Sequence, residues 1–484
     1  MPSLRGLPPD LPMPLAERAI AGARWVRGQA AAGRTVTVVH HIDADGVAAG
    51  AVALEALRGA GVPSVPLAVK SLDESHVRKV LGSGAEALWF CDLGSTAAGR
   101  FADLPRLVCD HHQLVRDGHE EEFPHVNPLL DGLPGDEVSG AGCCYLVAAA
   151  LDDANLRLLP LALLGATADL QDRHGGFRGC NAALLRHGVA SGLLESGLDL
   201  AWYGLETRPL ARTLAYARDP AVPGATGDRR TAEAFLQQLG LPKDATWSQL
   251  EEPQRRQVRS ALVTRLLDAG LAHRATSLFR EVVRIRAEPP GASTRELQEH
   301  ATLLNGTARY GRSDVGLAVA AGDRGAAYQE ALGLLGGHRK HLVGALDAFR
   351  GRMPEALLAV QWIDLQDAVQ DTVVGTVCGM ALDGLGLPQD LVLVGLAWTP
   401  EGQTKASARV PRLMQGRVDL APAIREAAAA VGGQGGGHAG AAGATFARGS
   451  EQRFVRELDR LLAVQLGRAA PRPAAPPVQA TLPA

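Results

Sequence analysis

Residues 40–46 read HHIDADG, two histidines and two aspartates directly behind the apolar run VTVV. If the extended chain runs on through them, His41, Asp43 and Asp45 project to one side while His40, Ile42 and Ala44 project to the other. Two carboxylates and an imidazole crowded in this way repel unless a cation or a proton neutralises them. Three further pieces carry the same chemistry: CDLGS (91–95), CDHHQ (109–113) and ADLQD (168–172). Carboxylate with imidazole and without thiolate suits a hard or borderline divalent ion, Mn2+ better than Ca2+ or a structural zinc, with Mg2+ as the alternative. Each piece by itself equally suits a polar turn or a helix cap, Asp45 capping the helix that follows. Four of them in order within one domain are harder to assign to turns. Cys91 and Cys109 each precede an aspartate, so alternation turns both into the core as packing residues. His40 points away from the group.

Such donors need elements to carry them. From about 34 to 190, short β-rich runs alternate with helical stretches, the pattern of a parallel α/β sheet. Candidate strands are RTVTVVHHID (34–43), SVPLAVK (64–70), ALWFCD (87–92) and PRLVCD (105–110). Gly46 onward reads as the first crossover helix, and SGAGCCYLVAAALDD and LRLLPLALLGATAD as two more. In such sheets ligands gather at the carboxyl ends of the strands, where His41, Asp43, Asp45, Asp92 and Asp110 fall. Between about 195 and 355 strand signals fade, and long Arg-, Glu-, Gln- and Leu-rich stretches predict a mainly helical insertion. Its HRATSLFREVVRIR (273–286), with Arg309, Arg312, Arg339 and Lys340, offers a basic wall for a polyanion, or a docking surface for another protein. The mixed pattern returns from 356, with strands at LLAVQWID and DLVLVGLAWT and a helix at DTVVGTVCGMALDGLG. Two stretches there suit an anion: the glycine loop of GGQGGGHAGAAGATF, and KASARV, which puts Lys405, Ser407 and Arg409 on one strand face. The predicted architecture is therefore α/β: an N-terminal extension (1–33), a parallel-sheet domain (34–194), the insertion (195–355), a smaller α/β domain across a cleft (356–468), and a disordered Pro/Ala-rich tail (469–484).

Bulk properties narrow the function. A chain of 484 residues, 46% apolar and 21% charged, can build two or three domains with their own cores. A net charge of −3 argues against a generally basic nucleic-acid binder, so a polyanion has to be met by a local patch. Six cysteines without a CxxC or a disulfide-like framework suit a reducing compartment. With no apolar run near the roughly 20 residues of a membrane span and no signal-peptide core, the expectation is a cytoplasmic protein without membrane contact.

The four-part pattern, CDHHQ above all, resembles the DHH phosphoesterase superfamily, which includes RecJ exonucleases, oligoribonucleases, cyclic-dinucleotide phosphodiesterases and family II inorganic pyrophosphatases. The resemblance covers nearly the whole chain, because GGQGGGHAGAAGATF is similar to the GGGH motif of the DHH-associated C-terminal domain. YARDPAVPGATGD (216–228), LLNGTARYGR (303–312) and ADLQDRHGGFRGCN (168–181) are similar to the archaeal-type RecJ-like nucleases, including the GINS-associated one. The resemblance implies that His41, Asp43 and Asp92 hold one Mn2+ and that Asp45, Asp92, His111 and Asp169 hold a second, with Asp92 bridging. It implies that His112 faces the scissile phosphate, that Asp110 orients the histidine pair, and that Ser407, Arg409, Gly435, Gly436, Gly437 and His438 hold a nucleic-acid backbone. The chain departs from bacterial RecJ at His41, where RecJ has an aspartate. The implied activity is Mn2+-dependent exonucleolytic hydrolysis of single-stranded DNA or RNA from an end by two-metal catalysis, in repair or replication, with a replication or repair protein as partner. Three alternatives stand beside it. A phosphodiesterase for nano-RNA or linear and cyclic dinucleotides would need no long insertion, a non-catalytic replisome scaffold would lack ligands that are all present here, and a pyrophosphatase would lack the GGGH context.

Overall fold

The computed structural model describes residues 6–114, 122–173 and 175–468; the tail 469–484 lies outside them. The chain divides into two compact units, Met1–Leu335 and Gly336–Ala484.

The first unit opens with α1 (Met13–Ala32), then β1 (Val36–His41), α2 (Ala44–Gly59), β2 (Ser64–Val69), α3 (Glu74–Leu81), β3 (Ala87–Cys91), β4 (Arg106–Cys109) and β5 (His125–Val126). The five strands form one sheet in the order β2-β1-β3-β4-β5, every neighbouring pair parallel. Alternation along β1 sends Val36 and Val38 to one face and Val39 to the other. On the first face lie α1, α2, α4 (Gly140–Leu151) and α5 (Leu159–Ala168), the last two apolar all round because they are enclosed on every side. Cys91 and Cys109 are buried there against Cys143 and Cys144 of α4. On the second face, Val77 and Val80 of α3 pack with Phe90 and Phe101. The N-terminal segment is part of this core rather than an appendage: Leu15, Ala19, Ala23 and Val26 of α1 are buried in it.

After α6 (Gly179–Ala190) come β6 (Leu194–Leu200), α7 (Leu210–Tyr216), α8 (Arg229–Gln238), α9 (Glu252–Asp268) and β7 (Phe279–Ile285). The helices close a separate core around Phe235 and Trp247. Here the structure corrects the sequence reading. The stretch 279–285, expected to continue a helix, is a strand paired antiparallel with β6 from Leu194↔Ile285 to Leu200↔Phe279. Its arginines do not make a basic wall, because Arg284 is held by Asp199 and Glu206, and Arg280 by Glu296. Asp199 and Glu206 sit far away in the sequence, so nothing local announced that the Arg284 charge would be neutralised. The chain returns through α10 (Leu297–Arg309), α11 (Ser313–Ala320) and α12 (Ala326–Arg350), with Leu303, Leu304 and Val315 joining the core under α2.

The second unit contains β8 (Glu355–Ala356), β9 (Val360–Asp364), α13 (Val374–Gly384), β10 (Val392–Trp398), β11 (Gln403–Arg409), α14 (Leu420–Ala430), β12 (Gln434–Gly437), β13 (Ala441–Ala447) and α15 (Glu451–Gln465). Its sheet order is β12-β13-β11-β10-β9-β8, parallel only between β9 and β10. Helix α13 covers one face; α14 and α15 cover the other. The glycine run is edge strand β12 rather than the expected loop, and the turn at His438 leads directly into β13.

Candidate metal centre

Strand β1 ends at His41, two residues earlier than the sequence suggested, so strand alternation is not what gathers the first three donors. The chain turns instead. Asp43 becomes the N-cap of α2, accepting a hydrogen bond from the Gly46 N–H at 2.9 Å. Asp45 does not cap; it lies in the first helical turn, fully buried. The turn closes because residue 46 is glycine: a Cβ there would lie 2.5 Å from the Cβ of His41. Asn305 of α10 steadies the same turn, its Oδ1 accepting from the Ala44 N–H at 3.2 Å. His40, one residue before His41, packs its ring against Gly50 under α2 and stays out of the group, as its alternation implied.

Asp45 faces the start of α4, where its carboxylate accepts from the Gly140 N–H at 2.8 Å and the Ala141 N–H at 2.9 Å. A helix N-terminus is where a buried carboxylate is best tolerated. Asp92 follows β3 in a left-handed conformation (φ 64°) and is buried, with Gly140 so near that a Cβ on it would come 2.6 Å from the Asp92 Cα. Asp110 follows β4, and its carboxylate accepts from the N–H of Ser95, the N–H of His111 and Nδ1 of His112, at 3.0, 2.8 and 2.8 Å. Asp169 ends α5.

The donor atoms converge in three overlapping groups, each within 4.8 Å: His41, Asp43 and Asp92; Asp45, His111 and Asp169; and Asp92, His111 and His112. Asp92 joins them, with Oδ2 3.4 Å from His41 Nδ1 and Oδ1 3.5 Å from His111 Nε2. His111 Nε2 also lies 3.1 Å from Asp169 Oδ2 and 3.8 Å from Asp45 Oδ2. Although oxygens come so close, His41 Nδ1, His111 Nε2 and Asp92 Oδ1 are buried atoms with no hydrogen-bond partner among the described residues. The carboxylates lie off the line of a ring N–H. Buried polar atoms left unpaired are costly, and atoms aimed at a common point rather than at one another are what a cation requires. The residues therefore fit divalent ions held by oxygen and imidazole nitrogen.

The electrostatics agree. Burial, together with the neighbouring Asp92 and Asp169 charges, pushes the Asp45 carboxyl well above its usual range, and burial raises Asp169 as well. Burial works against the charged form of His41 and His111, yet the carboxylates of Asp43, Asp92 and Asp169 hold both well above an ordinary imidazole. Despite burial, His111 and His41 keep Asp92 ionised far below the usual carboxylate range. This is a centre with excess negative charge that draws in protons, and divalent ions would compensate the same charge. His112 is half exposed at the rim, and Asp110 raises its proton affinity against the effect of burial.

Several supporting residues carried no signal in the sequence. Asn127 donates to the Ser95 hydroxyl at 2.8 Å and to the His112 carbonyl at 3.0 Å, and Ser95 is hydrogen-bonded to His125 Nε2 at 3.0 Å. This buried chain lies behind Asp110 and His112. Ser95 stood inside the quoted CDLGS piece, whereas His125, Asn127 and Asn305 have no local pattern that marks them.

In the second unit, Ser407 and Arg409 share a face of β11, and both reach the start of α13. A Cβ on Gly375 would clash with the Arg409 guanidinium and lie 3.2 Å from Ser407 Oγ. Arg409 donates to the Ala408 carbonyl at 2.9 Å, no described carboxylate pairs with it, and burial lowers its proton affinity. Across the sheet, Ser407 is in register with Gly443, which is in register with Gly436. This row is nearly free of side chains, and a Cβ on Gly436 would meet nothing within 4 Å. Gly435 instead presses on Ile424 of α14, and Gly437 turns the chain (φ 138°) toward His438.

Residues 202–278 match the DHH-CID domain and residues 357–464 the DHHA1 domain. An uncharacterized protein of Methanocaldococcus jannaschii is 22% identical over 454 residues, covering 90% of this chain and 94% of its own. Among solved structures, RecJ of Thermus thermophilus in complex with Mn2+ superposes with a TM-score of 0.58 at 17% identity, covering 94% of this chain. The chain spans only 56% of that RecJ. CDC45 of Entamoeba histolytica superposes with a TM-score of 0.61 at 9% identity, covering 90% of this chain and 97% of its own.

Proposed function

Since the chain belongs to the DHH superfamily and has a RecJ-like fold, we propose that it is a metal-dependent phosphodiesterase acting as an exonuclease on single-stranded DNA or RNA, with two Mn2+ ions or, alternatively, Mg2+. The observation that carries this reading is the sharing of Asp92 between two donor groups, with His41 Nδ1, His111 Nε2 and Asp92 Oδ1 buried and without partners among the described residues. His41, Asp43 and Asp92 would hold one ion, and Asp45, Asp92, His111 and Asp169 the other. When bound, such a pair polarises the phosphoryl oxygens and supplies a nucleophilic water at neutral pH. His112 keeps its Nδ1–H on Asp110, which leaves Nε2 of this half-exposed ring to contact the scissile phosphate or hand a proton to the leaving oxygen. Asp110 holds that ring in place. Ser407, Arg409 and the side-chain-poor row through Gly443 and Gly436 let a phosphate backbone approach β11 closely, with His438 at the end of the hairpin.

The test is digestion of single strands labelled at either end, DNA and RNA in parallel, with Mn2+ and with Mg2+, for the parent and for Asp92→Ala. Stepwise release of mononucleotides by the parent and its loss in the variant are expected. Retained activity in Asp92→Ala would remove the two-metal mechanism. Comparing a dinucleotide with a 20-mer separates this reading from a phosphodiesterase for very short substrates.

A further inference from the structure

His111 can ligate through Nε2 only if its other ring nitrogen carries the proton, and a hydrogen-bond acceptor at Nδ1 fixes that tautomer. The acceptor is the carbonyl of Gly135, 2.8 Å from Nδ1. This carbonyl sits in a loop with no secondary structure, so something else has to hold it. A side chain at 135 is not tolerated, because a Cβ would lie 2.7 Å from the His111 carbonyl oxygen. Gln171 approaches from the other side: its Nε2 is 3.4 Å from the Gly135 oxygen and 3.4 Å from His111 Nδ1. Two donors thus converge on one carbonyl. The amide is turned that way because its Oε1 accepts from Asn181 Nδ2 at 2.6 Å. Asn181 is fully buried near the start of α6, and its own N–H holds the loop a second time by donating to the Glu137 carbonyl at 2.8 Å.

The placement of Gln171 is built into the end of α5. Leu170, directly after Asp169, takes a left-handed conformation (φ 62°), and the Gln171 N–H closes back on the Ala166 carbonyl at 2.9 Å. One helix end therefore aims both the Asp169 carboxylate and the Gln171 amide at His111.

We propose that Gln171 and Asn181 are positioning residues which, through the Gly135 carbonyl, keep His111 in its Nδ1–H form with Nε2 free for a divalent ion. Without that clamp the ring can shift its proton to Nε2 and donate to Asp169, which removes it as a ligand. The inference rests on the metal reading above, and the experiment separates the two. Free Mn2+ is followed by electron paramagnetic resonance during titration of the EDTA-stripped full chain, as parent, Gln171→Met, Asn181→Ala and the double variant. Methionine keeps the length and neutrality of glutamine and removes both polar groups at a partly exposed position, so the fold is retained. Affinity for the ion that His111 would ligate is expected to fall about 10- to 100-fold in each single variant. The double variant should be no worse than Gln171→Met, since Asn181 acts through the same amide. In the stripped proteins, at a pH high enough to remove the extra imidazolium proton that the neighbouring carboxylates favour, 15N-histidine spectra should show the His111 tautomer population moved toward Nε2–H in the variants, a change that loss of packing alone would not produce. A loss of less than threefold in Gln171→Met, or an unchanged His111 tautomer, overturns the proposal. Failure of the parent itself to bind Mn2+ would overturn the metal reading and this inference with it.

Discussion

Gly46→Ala is the sharpest test of how the centre is assembled. The three donors of HIDAD reach the centre because α2 begins immediately against the end of β1, and residue 46 is the point of closest approach. An added Cβ would sit 2.5 Å from His41 Cβ and 2.6 Å from the His41 carbonyl carbon, about 1 Å inside ordinary contact. Both neighbours are main chain or attached directly to it, so no flexible side chain can give way. The helix start has to shift, carrying Asp43 and Asp45 away from His41. Overpacking of this kind costs about 1–3 kcal/mol, and a displacement of that size at a reacting centre costs roughly 100-fold in rate. The same substitution at Gly28, inside α1 with nothing within 4 Å of the added Cβ, is an internal control. There alanine should stabilise by about 0.5–1 kcal/mol through helix propensity alone. Urea titrations followed by circular dichroism in EDTA give the stabilities, and Mn2+-dependent cleavage of a labelled 20-mer gives the rates. If Gly46→Ala behaves like Gly28→Ala in both assays, the claim that this close turn gathers the donors is wrong.

Other consequences are open to equally direct measurement. Burial, helped by Arg324, lowers the His300 pKa to about 3, against about 6.5 in the unfolded chain. The unfolded state therefore binds the extra proton, so this stability is full above about pH 6.5 and declines as pH falls toward 3. The loss is about 2 kcal/mol at pH 5, and urea titrations at pH 7.5 and 5 on the parent and His300→Gln should show it only in the parent. Arg409→Ala should raise KM for long strands and lower the salt dependence of binding by about one phosphate contact; an unchanged KM counts against the role of β11. Saturating Mn2+ should raise the thermal midpoint of EDTA-stripped protein, by about 4 kcal/mol of stability at 1,000-fold over Kd. Asp92→Ala should abolish that rise, and a rise that survives would place the ions elsewhere.

The amino-acid sequence by itself determined which atoms are available for chemistry and roughly where along the chain they occur. Strand propensity and the apolar runs of β1, β3 and β4 are local properties, so the positions of Asp92 and Asp110 past their strand ends were legible, as was the burial of Cys91 and Cys109. The means of convergence was not. His41, Asp43 and Asp45 are brought to the centre by a strand-to-helix turn closed by Gly46 rather than by alternation, and Asp45 is tolerated only because α4, some ninety-five residues later, presents its first N–H groups. The charged stretch of β7 read as helix because its neutralising partners Asp199 and Glu206 are remote in sequence. Asn127, Asn305 and the Gln171–Asn181 pair are silent for the same reason. An amide side chain has no periodicity of its own, and its meaning comes from the polar partner that only the folded chain brings within hydrogen-bonding reach.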